Sequence, residues 1–346
     1  MRILFTALGR HGHINPLLPL AVAALRAGHE VTFATTADHL PRLRSSGLSV
    51  AIAGVPSGSL AGSAADVFGS LLPQRVVADL EPVLASVKPE LVICDVANPG
   101  GAFAARLAGI PVLAHGFGRV PQTSSITSLQ SSYAASLGLA FDGASSVGDA
   151  FIDICPASVQ DPGFKAATHR VPLRPVAWAE PGGLPPLRLP LVYLTLGSVS
   201  LLRSAIDGLS RLPLQVLVAA GHVDDVGAVP SNVRLESWVP QAELLQHADL
   251  VVHHGGSAST LGAFAAGVPQ LVLPLDADHF ANAEAVLVAG AGERLLSEEI
   301  TADAVYSAAA RLLADEAVEA AARCMAQEVS DMPSPDDLAA RLPEYA

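Results

Sequence analysis

At 346 residues the chain holds about two domains of roughly 150 residues each. Hydrophobic residues make up 51% and charged residues only 15%, so there is ample apolar surface for a core and too little charge for a disordered chain. Twenty basic against 33 acidic residues give a net charge of −13, which repels phosphate backbones and anionic membrane surfaces and argues against a nucleic-acid partner.

In chain order, Ile3–Leu8, Val31–Thr35 and Leu48–Ala53 read as strands, alternating with helical patterns over Leu17–Arg26 and Asp38–Ser46. Pro16 near the start of the first helix and Gly28 beyond its end are the residue types expected there. Leu91–Asp95 and Val112–His115 are further strands, with a helix over Gly101–Leu107 between them, so the order predicts a parallel sheet. Residues 120–150 are rich in Ser, Gly and Ala and carry weak strand signals. Pro172 to Pro190 contains six prolines and two glycines, which breaks both helix and sheet and predicts an interdomain hinge. The βα rhythm then restarts, with strands at Leu191–Leu196, Leu214–Ala219, Val233–Glu236, Leu250–His253 and Gln270–Leu273. Helical patterns at Leu201–Arg211, Gln241–Gln246, Thr260–Ala266 and Asn282–Ala289 alternate with them. The expectation is two Rossmann-like, doubly wound α/β domains, over 1–180 and 181–330, facing across a cleft. Residues 331–346, with three prolines, are expected to form a peripheral tail.

Cys94, Cys155 and Cys324 form no CxxC or Cys/His cluster, which predicts neither a disulfide framework nor a zinc site and fits a reducing cytoplasm. The apolar run before Arg10 is too short for a secretory signal. Gln, Gly and Pro interrupt Leu261 to Leu275 short of a membrane span, so no stable membrane insertion is expected.

Ligands of doubly wound sheets bind beyond the carboxyl ends of the strands, so the loops there carry the functional search. After the first strand comes Gly9-Arg10-His11-Gly12-His13, opening a helix without the dinucleotide fingerprint. A histidine there can accept a proton from a hydroxyl near neutral pH, or merely cap the helix. Asp95 ends a strand at the same rim, where a carboxylate either orients that imidazole or caps a turn. In the second half, His253-His254-Gly255-Gly256-Ser257-Ala258-Ser259-Thr260 reads as strand, glycine turn and helix start, a cradle for phosphate. Ser257 lies in a near-match to GxSxG, but Ser259 takes the final glycine position and argues against a hydrolase elbow. Gly197 and Ser198 follow another strand and can meet a phosphate or ribose. The Trp238-Val239-Pro240-Gln241 segment can wall a flat base, although Trp is usually a core residue. Asp276, Asp278 and His279 follow the strand Gln270–Leu273, and their carboxylates suit sugar hydroxyls better than a metal.

Together Gly12-His13-Ile14-Asn15-Pro16, Trp238-Val239-Pro240-Gln241, His253-His254-Gly255-Gly256, Gly267-Val268-Pro269-Gln270 and Asp278 followed by Asn282 resemble a family 1 glycosyltransferase of the GT-B fold. Within it the chain is most similar to bacterial enzymes that glycosylate antibiotics and other polyketides. The resemblance implies inverting, metal-independent hexosyl transfer from a dTDP- or UDP-sugar to a small hydrophobic aglycone. By position, His13 is the implied general base and Asp95 its partner. His254, the amides of Gly255 and Gly256, Ser257, Ser259, Thr260, Gly197 and Ser198 are implied for the donor phosphates. Trp238, Val239 and Gln241 are implied for the nucleoside, and Asp278 and His279 for the sugar. No cofactor beyond the co-substrate is implied, acceptor residues stay unassigned, and a homodimer stays open. Ala258 stands where the family has Gly, His279 where it has Gln, and the segment between Ala53 and Gln74 is short. Alternatives are C-glycosyl transfer, nucleotide-sugar epimerisation, and a catalytically silent nucleotide-binding homologue.

Overall fold

The computed structural model describes residues 1–120, 125–178, 182–196, 199–221, 228–275 and 278–346. It divides into two compact units, the first made of Met1–Cys155, Asp161–Val176 and Met332–Ala346, the second of Pro156–Gln160 and Ala177–Asp331.

In the first unit the strands are β1 (Arg2–Thr6), β2 (Glu30–Thr35), β3 (Ser49–Ile52), β4 (Leu91–Asp95), β5 (Val112–His115), β6 (Ala150–Asp153) and β7 (Arg170–Pro172). They form one parallel sheet in the order β3-β2-β1-β4-β5-β6-β7. The continuous apolar runs of β1 and β4 follow from this topology. Ile3, Leu4, Phe5 and Leu91 to Cys94 are fully buried, as strands covered on both faces must be. The order reverses between β1 and β4, so the crevice of this sheet opens between the loops after those two strands.

In the second unit β8 (Leu191–Thr195), β9 (Gln215–Ala219), β10 (Val233–Glu236), β11 (Leu250–His253), β12 (Gln270–Val272) and β13 (Gly292–Arg294) form a parallel sheet in the order β10-β9-β8-β11-β12-β13. Its reversal lies between β8 and β11. Val192, Leu194, Val216, Val218, Val252 and Leu271 fill the core on one side with the helices Val199–Leu209 and Ala302–Ala314.

The tail expected at 331–346 is instead folded onto the first unit. Pro335 opens the helix Pro335–Arg341 and Pro343 stands at the start of the 3-10 turn Leu342–Tyr345, positions where a missing amide costs nothing. Ser334 and Asp337 form a capping box, and Leu338, Ala339 and Leu342 are buried. Arg26 reaches Asp336 at 2.7 Å, and the Arg174 amide donates to the Pro333 carbonyl at 2.8 Å. The chain passes between units at 176/177, within the proline-rich stretch read as a hinge, and again at 155/156, 160/161 and 331/332. The Ser-rich stretch after residue 120 contains the helix Ser125–Ser136 and strand β6, whose short run Ala150–Asp153 follows a glycine-bearing bend.

Candidate active site

At the β1/β4 crevice, the short helix His11–Ile14 follows β1 and carries His13, while Asp95 is the last residue of β4. His13 Nδ1 lies 2.9 Å from Asp95 Oδ2. A carboxylate can only accept, so its place beside Nδ1 favours the tautomer with the proton on Nδ1. The Asp95 side chain is buried, and its other oxygen accepts from the Ala97 amide at 3.0 Å, while His13 keeps 19% of its side chain exposed. Phe117 meets the His13 ring edge to face at 5.2 Å between centroids. Leu8, Val55, Phe68 and Leu72 line a shallow recess that holds little more than a water molecule, with the Arg10 guanidinium 5.3 Å from the Phe68 ring centre.

At the β8/β11 crevice the turn after β11 is held by neutral groups. His253 is fully buried; its Nδ1 accepts from the Gly255 amide at 3.0 Å and its Nε2 donates to Gln270 Oε1 at 2.9 Å. Burial, with His254 beside it, pushes the His253 pKa down to about 3, so the ring stays uncharged. Gly255 has φ +94°, and a Cβ there would lie 2.8 Å from the His279 carbonyl oxygen. A Cβ on Gly256 would fall 2.6 Å from His254 Nε2, so any larger residue there displaces the His254 ring. Beyond it the helix Ser257–Ala266 begins, with its N-terminal end in the crevice.

The turn is tied to the helix His279–Ala289 by Asn282, whose Nδ2 donates to the Gly255 carbonyl (2.8 Å), Ser257 Oγ (3.0 Å) and Asp278 Oδ2 (3.1 Å). The Ser257 hydroxyl donates to Asp278 Oδ2 at 2.9 Å. The His254 and His279 rings stand edge to face at 4.6 Å. Tyr193 donates to Gln241 Oε1 at 3.3 Å, and Gln241 Nε2 to Ser259 Oγ at 3.4 Å. Trp238 is half exposed, with one edge lying where a side chain on Gly182 would stand.

An erythromycin biosynthesis protein CIII-like C-terminal domain matches residues 203–345. The elloramycin glycosyltransferase ElmGT of Streptomyces olivaceus is 34% identical over 380 aligned positions, spanning 99% of this chain and 97% of that one. The chain is a family 1 glycosyltransferase of the GT-B fold. The spinosyn forosaminyltransferase SpnP superposes with a TM-score of 0.84 at 28% identity, covering 99% of this chain and 98% of its own. The glycosyltransferase SsfS6 of Streptomyces sp. SF2575, complexed with thymidine diphosphate, superposes at 0.81 with 27% identity over the whole of both chains.

Within this glycosyltransferase His13 meets Asp95, and His254, Ser257, Ser259, Asp278 and His279 gather around one turn. Several donor assignments shift in detail. The Gly255 amide is spent on His253, so the amides left for an anion are those of Gly256, Ser257 and Ala258 at the helix start. Thr260 is buried and its hydroxyl donates to the Gly256 carbonyl at 3.2 Å, so it closes the helix instead of facing a ligand. Val239 is a core residue, packed with Leu244, Leu245 and Val251, and its side chain is withdrawn from the nucleoside wall. Ala258 lies inside the helix and exposes its methyl, without positive φ, so replacing glycine there brings no backbone strain. Gly197, Ser198 and Asp276 lie outside the described residues. Asn282, Gln270 and Tyr193 were missed as contributors; the first two were visible in the sequence only as members of family motifs. Among the described residues no group of three or more His, Cys, Asp or Glu is placed to hold a metal ion, and no helix is long and apolar enough to cross a membrane.

Proposed function

We propose that this glycosyltransferase moves a sugar from a thymidine-diphosphate donor to a hydroxyl of a small aromatic or polyketide aglycone, with inversion and without a metal. The observation that carries the reading is the His13–Asp95 pair at 2.9 Å, which places a buried carboxylate on one side of a partly exposed imidazole and so supports Nε2 as the accepting nitrogen. Nε2 takes the proton of the acceptor hydroxyl as its oxygen bonds to the anomeric carbon, and Asp95 stabilises the imidazolium that forms. The bond from the anomeric carbon to the β-phosphate oxygen breaks on the opposite face, and the electron pair leaves with the diphosphate. The amides of Gly256, Ser257 and Ala258 and the His254 imidazole are the groups of the second unit suited to that charge, so a helix start would do the work a metal ion does elsewhere. Asp278 Oδ2 is occupied by Ser257 and Asn282, which leaves Oδ1 for a sugar hydroxyl. Thymidine as the base is supported by the complex of SsfS6 with thymidine diphosphate.

The test is thermal stability of wild type and His254→Ala against millimolar thymidine, uridine and guanosine diphosphates, followed by transfer to a panel of aromatic and polyketide acceptors. The expected result is selective stabilisation by thymidine diphosphate, lost in His254→Ala, and glycosylation that His13→Ala abolishes. Stabilisation without turnover on any acceptor would point to a silent homologue. Donor turnover without acceptor would point to an epimerase, and a product resistant to acid hydrolysis to C-glycosylation.

A further inference from the structure

The proline-rich stretch read as a hinge is fastened, over its second half, to the second unit, which Ala177 opens. Leu184 and Leu187 pack against the core made by Leu191, Tyr193, Leu217 and Val239. Arg234 of β10, ion-paired to Glu236 at 2.6 Å, donates to the Pro186 carbonyl at 3.3 Å, and the Arg188 amide donates to Gln215 Oε1 on β9. A segment whose composition breaks both helix and sheet is thus held by apolar burial and by bonds to β9 and β10.

Trp238 meets this segment at Gly182. It stands two residues beyond β10, and Val239, the next residue, is buried in the core that also takes Leu184 and Leu187, so the backbone bearing the indole is anchored. A Cβ on Gly182 would lie 2.3 Å from Trp238 Cζ3, 2.6 Å from Cη2 and 3.6 Å from Cε3. These atoms form the outer edge of the six-membered ring, so that edge lies flush on the linker backbone and Nε1, across the ring system, is turned away from Gly182. Gly183 differs, because a Cβ there would meet nothing within 4 Å. Neither glycine has a left-handed φ, so both accept Ala without backbone strain.

Trp238 nevertheless keeps 47% of its surface exposed, high for a residue type that is well buried on average. An indole with an edge seated on backbone and much of its surface open is a stacking platform for a flat base. A methyl at the exposed Gly182 presses on the ring, and the half-exposed ring yields more readily than the fastened linker. The change tilts the platform and leaves the fold in place.

We propose that Gly182 is a positioning residue for the donor nucleoside: its bare backbone seats the Trp238 ring at the angle at which the base stacks. The inference rests on the thymidine-diphosphate donor proposed above, with its base against Trp238.

The experiment compares wild type, Gly182→Ala, Gly183→Ala, Trp238→Leu and the double variant Gly182→Ala with Trp238→Leu. Calorimetric titration gives Kd for thymidine diphosphate, and kcat and donor KM follow with the acceptor found in the panel. Indole fluorescence is read in a Trp178→Phe background, which leaves Trp238 as the one tryptophan, and thymidine diphosphate is expected to quench it. Gly182→Ala is expected to raise Kd and donor KM about fivefold, weaken the quench and leave kcat within about twofold, while Gly183→Ala matches wild type. Trp238→Leu raises Kd about tenfold, and adding Gly182→Ala raises it no further.

An unchanged Kd in Gly182→Ala would overturn the proposal, as would an equal loss in Gly183→Ala. So would a further fivefold loss on adding Gly182→Ala to Trp238→Leu, because the linker would then act without the ring. Should Trp238→Leu bind thymidine diphosphate as wild type does while His254→Ala does not, the base lies elsewhere, and this inference falls with the donor reading intact. Wild-type protein that binds no thymidine diphosphate would bring down the donor reading itself, and the role of Gly182 with it.

Discussion

Asp95 and His254 occupy the same place in two separate sheets. Asp95 stands one residue beyond the pairing of Thr6 with Cys94 on β1 and β4, and His254 one residue beyond that of Thr195 with His253 on β8 and β11. Each therefore projects at the reversal of strand order, where a doubly wound sheet opens its crevice. The first unit places a buried carboxylate there and pairs it with an imidazole, which favours a positive charge forming on His13. The second places an imidazole there above a glycine turn and a helix start, which favours a negative charge arriving. The same scaffold carries two opposite electrostatic environments according to the residue at one register position, the two that the proposed group transfer calls for. The neighbouring histidines are alike in both units: His253 and His115 are buried and neutral, and both make hydrogen bonds without charge.

The largest test of this division is Asp95→Asn. An amide keeps the shape but cannot stabilise the imidazolium, and it offers an N–H that can turn His13 into the wrong tautomer. kcat is expected to fall by about 10³ or more, while stabilisation by thymidine diphosphate stays at the wild-type level, since the proposed anion site belongs to the other unit. Steady-state kinetics beside thermal shift check this. Turnover within tenfold of wild type, or loss of nucleotide binding, would break the division of labour.

A smaller effect concerns the two neutral histidines. Their folded-state pKa values, about 4 for His115 and about 3 for His253, lie below the ordinary value near 6.5. The unfolded chain therefore takes up protons first as pH falls. The stability linked to these groups is fully present above about pH 6.5 and is lost as pH drops towards 4 and then 3, at about 1.4 kcal/mol per pH unit for each histidine. Urea midpoints at pH 7.5, 5.5 and 4.5 should fall accordingly. His115→Asn and His253→Asn should each flatten the slope by one proton's worth, even where they lower the midpoint itself. A slope unaltered in both variants would show that neither ring is held neutral.

What the sequence made legible follows from how local each signal is. The strands β4, β5 and β11 were bounded correctly because each is a short, mostly apolar run closed by a polar residue or Gly, and β10 because its apolar and polar residues alternate. That His13, Asp95 and His254 stand at strand ends was legible because the glycine-bearing turns and strand boundaries around them are local signals. The fate of individual hydroxyls and amides was not. Ser257, Thr260 and the Gly255 amide are donors by composition, and only their neighbours Asp278, Gly256 and His253 decide that they are already used. The tail misled because proline was read as a breaker, whereas Pro335 and Pro343 stand in helical first turns. Phe117 carried no signal, since its contact with His13 joins residues more than a hundred positions apart.

The smallest effect sharpens the second unit alone. Tyr193 is buried in β8, and burial pushes its hydroxyl pKa up to about 12, so it is a neutral donor at every working pH. It reaches Gln241 at 3.3 Å, and Gln241 reaches Ser259 at 3.4 Å, both long bonds that orient more than they bind. Tyr193→Phe keeps the ring in its packing and removes the hydroxyl's bonds to Gln241 and Thr195, so Gln241 regains freedom at the edge of the proposed nucleoside wall. Donor KM should rise about two- to fivefold, within the roughly 0.5–1.5 kcal/mol of one hydrogen bond, with kcat unchanged because no reacting atom is touched. A fall in kcat at constant KM would instead place Gln241 on the departing diphosphate, and move the boundary between nucleoside and phosphate sites one residue towards the helix start.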